Sequence, residues 1–228
     1  MVNGVSLNIS NLFLELGNTK ILENINMNVK KGETVLLNGS RSDVYVDEGG
    51  VFGGNATVKS LDVAGVVAPG NSPGKITVLN SFSMQGTGVY KAEILDKDHY
   101  DQIVVQSVQL DNGGNSSKLE LVYLPGGTIK KGDTFTIINN NGSAPVQGTF
   151  NGLPEGTEFA VDGATFKISY VGGDGNDVVL TAQNDSTGPK APNTGGENVA
   201  VNLAGTIVGV ASAAILLFMA KRKSFGKK

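Results

Sequence analysis

Three short stretches carry residue types whose spacing suits chemistry. Asp96, Asp98, His99 and Asp101 fall within six residues and offer three carboxylates and an imidazole to a divalent cation. His99 is the only histidine and cysteine is absent, so the usual zinc ligand sets cannot be assembled. A Ser-His-Asp triad would have to use this one ring, and nothing in the spacing places a serine beside it. The stretch reads as a solvated charged loop between strands. The second stretch, Gly172-Gly173-Asp174-Gly175-Asn176-Asp177-Val178-Val179-Leu180, fits the calcium-binding pattern Gly-Gly-x-Gly-x-Asp-x-apolar-x. Calcium takes about six to eight oxygens, and one copy of the pattern supplies half of each site. With no tandem copy, the segment reads as a hairpin turn between strands at 166–170 and 178–181. Asp174 and Asp177 are the residues a calcium ion would use. The third group, Asp43, Asp47 and Glu48, lacks a partner carboxylate at the separation that glycoside hydrolysis needs. The reading assigns no catalytic residue, no cofactor and no metal, and expects a chain that is not an enzyme.

The elements that must position these residues are strands. Val5, Leu7 and Ile9 alternate with Ser6 and Asn8, and Ile25, Met27 and Val29 alternate with Asn26 and Asn28. A period of two means half-buried strands. Lys30-Lys31-Gly32 turns the chain into Thr34–Leu37, Asn38-Gly39 ends that strand, and Val44–Val46 follows before Glu48-Gly49-Gly50 turns again. The 32 glycines among 228 residues are about twice the ordinary share of ~7%. Short, evenly spaced strands with Asn/Gly corners fit a solenoid whose coils bury their inner faces on one another, and also fit a sandwich. Without cysteine, such a chain is held by core packing and backbone ladders alone.

Gly49-Gly50-Val51-Phe52-Gly53-Gly54-Asn55-Ala56-Thr57-Val58, followed by Val63-Ala64-Gly65-Val66-Val67-Ala68-Pro69-Gly70-Asn71-Ser72-Pro73-Gly74-Lys75-Ile76-Thr77-Val78, resembles the autotransporter-associated β-strand repeat. Two prolines fix φ, two glycines allow positive φ, and Asn71 has the side chain to bond its own backbone at the corner. A phosphate-cradling glycine loop is excluded because no helix follows. The resemblance extends through Tyr100-Asp101-Gln102-Ile103, Gly148-Thr149-Phe150, Leu153–Thr157 and Ile168-Ser169-Tyr170. It implies an all-β fold: a right-handed parallel β-helix with a β-rich C-terminal cap. Expected boundaries are rungs over 1–94, with the repeat at 49–79, and a cap over 95–182. The resemblance departs at the end, where autotransporters continue into an outer-membrane barrel. A fainter internal echo pairs Val29-Lys30-Lys31-Gly32-Glu33-Thr34 with Ile129-Lys130-Lys131-Gly132-Asp133-Thr134. Both read as one turn-and-strand device, the alternative being a paired-lysine ligand site.

Residues 183–198 are rich in Asn, Gly, Pro and Thr and read as a flexible linker. Val199–Ala220 is an apolar run of 22 residues without charge, long enough as a helix (roughly 33 Å) to span a bilayer. Lys221, Arg222, Lys223, Lys227 and Lys228 form a basic tail over 221–228, which favours a cytoplasmic C-terminus. With Ala191-Pro192-Asn193-Thr194-Gly195 in front, the arrangement resembles a sortase sorting signal, Leu-Pro-x-Thr-Gly, with Ala191 where that family has Leu. The resemblance implies recognition of Ala191, Pro192, Asn193, Thr194 and Gly195 by a sortase, and transfer to an envelope amine. The net charge of −3 includes that basic tail, so the remainder is more acidic than the total and carries no footprint for nucleic acid.

Met1–Asn8 is polar and alternating rather than a secretion signal. The sequence therefore reads as the C-terminal part of a longer surface-displayed, adhesin-like structural protein. Its expected place is the cell wall, with a membrane-anchored precursor. The expected partners are a sortase, a cell-wall or envelope amine acceptor, the membrane through 199–220, and a ligand on a host or neighbouring cell. The alternatives are a membrane-anchored carbohydrate-active β-helix enzyme and a calcium-dependent binding module.

Overall fold

The computed structural model describes residues 9–10, 15–16, 19–20, 26–70, 72–110 and 117–190. The described chain is all-β, and most of its strands pair in parallel. Three short pieces, β1 (Ile9–Ser10), β2 (Glu15–Leu16) and β3 (Thr19–Lys20), precede a regular series. β4 (Asn26–Val29), β5 (Thr34–Leu36) and β6 (Gly39–Ser40) are followed by β7 (Asp43–Val46), β8 (Val51–Gly54) and β9 (Ala56–Val58). Then come β10 (Ser60–Val63), β11 (Val66–Pro69) and β12 (Lys75–Val78). The next set is β13 (Ser81–Met84), β14 (Val89–Asp96), β15 (His99–Tyr100) and β16 (Gln102–Val105). The last is β17 (Ser107–Gln109), β18 (Lys118–Tyr123), β19 (Thr128–Ile129) and β20 (Thr134–Asn140).

Successive strands go to different sheets. The first sheet runs β1-β4-β7-β10-β13-β17, the second β5-β8-β11-β14 with β15 and β18 on β14, and the third β6-β9-β12-β16-β20. From β4 to β20 each set thus lays a strand on each of the three sheets, parallel to the set before, with β15 as an extra antiparallel strand on the second sheet and β19 outside all three. Period-two patterning decides which side chains stack. Met27, Val44, Leu61, Phe82 and Val108 form one inward row, and Val35, Phe52, Val67, Tyr90 and Leu119 form another. Ile76, Ile103 and Ile138 form a third. Phe52, Leu61, Val67, Ile76, Phe82, Tyr90, Ile103 and Ile138 are fully buried. Each such side chain contributes about 1.5–3 kcal/mol by leaving water.

The corners are as regular as the rows. Asn38 Oδ1 accepts the Asn55 N–H at 3.1 Å, and Asn55 Oδ1 accepts the Lys75 N–H at 3.0 Å. Each asparagine ties its corner to the next coil, one side chain replacing one rung of the backbone ladder. The two lysine-pair turns are one device, as the sequence echo suggested. Glu33 N donates to Lys30 O at 3.0 Å and Lys30 N to Glu33 Oε2 at 3.1 Å. In the second copy Asp133 N donates to Lys130 O at 3.0 Å and Lys130 N to Asp133 Oδ2 at 2.8 Å. Gly32 and Gly132 both take positive φ there, 81° and 92°.

Parallel pairing continues past the boundary expected at residue 94. The charged turn at Asp96–His99 resembles a boundary in sequence but is only an excursion: β14 and β15 form a small antiparallel pair, and the chain re-enters the third sheet as β16. The switch comes at β20, which pairs antiparallel with β23 (Asp177–Ala182). β23 pairs with β22 (Ala164–Gly172), and β22 with β21 (Glu158–Val161), closing that edge of the third sheet. Aromatic side chains fill this end, with Phe135 edge-on to Tyr100 and to Phe166 at 5.5 and 5.9 Å.

Over the first half of the expected linker the chain is paired. β24 (Ser186–Thr187) pairs with β19, Gln183 N donates to Thr165 O at 2.8 Å, and Lys131 N donates to Asp185 Oδ1 at 2.8 Å. Residues 183–190 lack apolar side chains yet are bonded through backbone, Asn184 and Asp185, which composition alone does not register. Among the described residues there is no helix long and apolar enough to cross a membrane. The apolar run at 199–220, the basic tail at 221–228 and residues 191–198 lie outside the described residues.

Candidate functional site

The corner after β11 closes on itself. A Cβ on Gly70 would lie 2.3 Å from the Gly74 Cα, and one on Gly74 would lie 2.3 Å from the Gly70 Cα and 2.4 Å from Asn55 Oδ1. Both glycines are therefore required by contact, and Gly70 also by a φ of 84°. Asn71, expected to bond its own backbone, lies outside the described residues.

Asp101 reaches this corner from the next coil. Its side chain is 1% exposed, not in the solvated loop expected for it. Oδ1 accepts the Gly74 N–H at 2.7 Å and Oδ2 accepts the Glu93 N–H at 3.0 Å. Burial pushes the carboxyl up to about 7, against the lowering effect of those two donors, and the neighbouring Glu93 adds to the rise. Tyr90, whose hydroxyl donates to Ile137 O at 2.8 Å, is raised well above its ordinary value by burial and by Asp101.

The structure separates the four-residue cluster. Asp96 and His99 share an exposed turn, where His99 Nδ1 lies 2.8 and 3.0 Å from the two Asp96 oxygens. Asp96 also accepts the Asp98 and His99 N–H groups, each at 2.9 Å, and its carboxyl is held low by the Asp98 N–H first and by His99 next. Asp98 pairs with Lys97 at 2.8 Å in the open. Carboxylate-oriented imidazole is half of a hydrolytic triad, but no serine hydroxyl among the described residues bonds this ring.

The stretch from Gly172 to Asp177 is the turn between β22 and β23, as expected, and it packs on the 140–145 loop. Asp177 Oδ1 accepts the Asn140 N–H at 2.8 Å. Oδ2 lies where a Cβ on Gly173 would be 1.9 Å away, so Gly173 leaves the room it occupies. Burial raises the Asp177 carboxyl, the Asn140 N–H lowers it, and Asp174 raises it again. Asn176 donates from Nδ2 to Gly142 O at 2.6 Å and to Ala144 O at 3.4 Å. Its Oδ1 is buried without a hydrogen-bond partner.

Asp43 opens β7 and takes the Ser42 hydroxyl at 3.5 Å, while Asp47 and Glu48 sit in the turn after that strand. No set of three or more His, Asp and Glu side chains among the described residues is grouped to hold a metal. The pentapeptide Ala191, Pro192, Asn193, Thr194 and Gly195 lies outside the described residues.

Comparison with known proteins adds one relative. No family model matches the chain. Over 94 residues, 40% of this chain, the sequence is 31% identical to an extracellular serine protease of Serratia marcescens. The matched segment is 9% of that protein's length. Sequence reasoning missed Asn38, Asn55 and Asn176. Asn38 and Asn55 were legible only as corner residues, and the orphaned Asn176 oxygen has no sequence signal.

Proposed function

We propose that this chain is the membrane-proximal end of a surface-displayed, adhesin-like structural protein built on a right-handed parallel β-helix and handed to the cell wall by a sortase. The observation that carries the reading is the order of parts after residue 190: a Pro-x-Thr-Gly pentapeptide, an uncharged apolar run long enough to span a bilayer, and a basic tail. The three-sheet winding supports the stalk, since each coil is stabilised mainly by its neighbours and such a structure extends by repetition. In the transfer step a sortase cysteine thiolate attacks the Thr194 carbonyl carbon. The Thr194–Gly195 bond breaks, and Gly195 leaves as a protonated amine with the apolar run. An envelope amine then attacks the thioester, forms a new amide at Thr194 and releases the thiol. The chain is the substrate, and the chemistry belongs to the transferring enzyme. The test is mass spectrometry of the C-terminal peptide in the envelope fraction. A terminus at Thr194 joined to an amine is expected, and an intact Lys228 on all of the protein refutes the transfer.

A second reading is favoured by the likeness to an extracellular serine protease: the chain as a segment of an extracellular enzyme. The like segment is a small part of that protein, which suits a shared structural module rather than shared catalytic machinery. Hydrolysis of peptide or ester substrates by the purified chain, lost on His99→Ala, would establish the second reading against the first.

A further inference from the structure

We propose that the seam between the Gly172–Asp177 turn and the 140–145 loop binds one hard divalent cation of the calcium class, through Asp177, Asp174 and Asn176. Three features of this seam are unfavourable as the protein stands alone. The Asn176 side chain is 8% exposed, and its Oδ1 is buried with no hydrogen-bond donor. An unpaired buried acceptor loses its hydration with nothing in return. The Asp177 carboxylate is 7% exposed and has a single donor, the Asn140 N–H on Oδ1, which leaves Oδ2 free in the space kept open by Gly173. Asp174 and Asp177 repel each other across the same turn.

Two of the side chains concerned, Asn176 and Asp177, reach the same segment, and Asp174 lies close enough to act on the Asp177 charge. Asn176 Nδ2 and Asp177 Oδ1 both contact the 140–144 segment, and Asn140 Nδ2 donates to Ala144 O, which also takes Asn176 Nδ2. A divalent cation answers all three defects together. It supplies a positive partner to the Asn176 oxygen, to the free Asp177 oxygen and to the exposed Asp174 carboxylate, and it balances their two charges. Water completes the shell, as it commonly does around calcium. The sequence reading stopped at half a site because a second glycine-rich copy is missing. In the structure the orphaned amide of Asn176 adds an oxygen that the sequence pattern does not count. The bound ion would pin the antiparallel strands β22 and β23 to the loop that follows β20.

The experiment is isothermal titration of the full-length chain in detergent with calcium chloride, after dialysis against chelator, with thermal unfolding followed in parallel. One calcium per chain and a melting temperature several degrees higher with millimolar calcium than with chelator are expected. Asp174 is exposed, so Asp174→Asn keeps the fold and lowers the calcium affinity at least tenfold. Asp47→Asn, in a distant turn, leaves it unchanged. No heat of binding together with an unmoved melting temperature overturns the proposal. So does undiminished binding by Asp174→Asn, which would put the ion elsewhere. None of these outcomes bears on the envelope transfer at Thr194.

Discussion

Asp101 Oδ1 lies 2.7 Å from the Gly74 amide nitrogen, so a carboxylate in one coil holds the glycine that closes the corner of the coil before it. The other oxygen holds the Glu93 N–H at 3.0 Å, and the Asp101 N–H returns to Glu93 O at 2.8 Å. One side chain therefore joins the corner at 70–74 to β14 through two backbone donors, with Glu93, Tyr90 and Tyr100 as its charged or titratable neighbours.

The first prediction concerns pH. Asp101 is raised from 3.8 to about 7, chiefly by burial. Between about pH 4 and 7 the folded chain holds this proton and the unfolded chain does not, so stability falls as pH rises through that window and levels off above it. The full change is on the order of 4 kcal/mol. Asp96 and Asp185 are held low and act below the window, whereas Asp177, raised by burial, adds to the fall in stability with rising pH. Urea unfolding at pH 5 and pH 8 measures the difference. Asp101→Asn should remove most of it, and an undiminished slope assigns it to another group.

Two glycines with similar φ should behave differently. Gly132→Ala places its Cβ in open space at a φ of 92°, and costs about 1–2 kcal/mol for the left-handed backbone. Gly70→Ala meets the same penalty at 84° and also drives its Cβ to 2.3 Å from the Gly74 backbone. Its cost should exceed that of Gly132→Ala by ~2 kcal/mol or more. Denaturant midpoints of the two variants decide the order, and equal midpoints would mean that the corner opens freely.

Phe82 sits in the middle of an inward row, between Leu61 and Val108, and is fully buried. Phe82→Ala should destabilise by about 3–5 kcal/mol. Leu36, 58% exposed on the second sheet, should tolerate Ala within ~0.5 kcal/mol. Thermal unfolding of both variants tests whether the inward rows carry the stability.

At the far end, Thr194→Ala should leave the chain uncleaved in the membrane fraction, and Ala191→Leu should raise the yield of wall-linked product. The measurement is the ratio of wall-linked to membrane-bound chain in each variant. Efficient linkage of Thr194→Ala would exclude Thr194 as the transferred residue.

Much of the coil was legible in sequence because strand alternation is a local signal. Met27 and Val29, Val44 and Val46, and Ile76 and Val78 mark inward positions without any knowledge of partners. The hairpin at 172–177 and the paired lysine turns were legible for the same reason, since glycine at a positive φ leaves a mark. Asp101 was not legible. Its neighbours in sequence are charged, whereas its partners, Gly74 and Glu93, come from other parts of the winding. The docking of 183–190 escaped for a related reason: backbone bonds to Thr165 and Gly127, and the Asp185 carboxylate on the Lys131 N–H, depend on no apolar side chain. Asn176 shows the limit most plainly, because an unsatisfied oxygen exists only once the surrounding surface is in place.

That docked segment has a mechanical consequence. Gly188 N bonds Gly127 O at 2.9 Å, Pro189 O takes the Gly126 N–H at 3.2 Å, and Ser186 O takes the Tyr123 hydroxyl at 2.9 Å. A chain pulled from its C-terminal side would load these few bonds before any strand of the three sheets. They form a clasp that would give way first, while the stacked coils behind it stay intact.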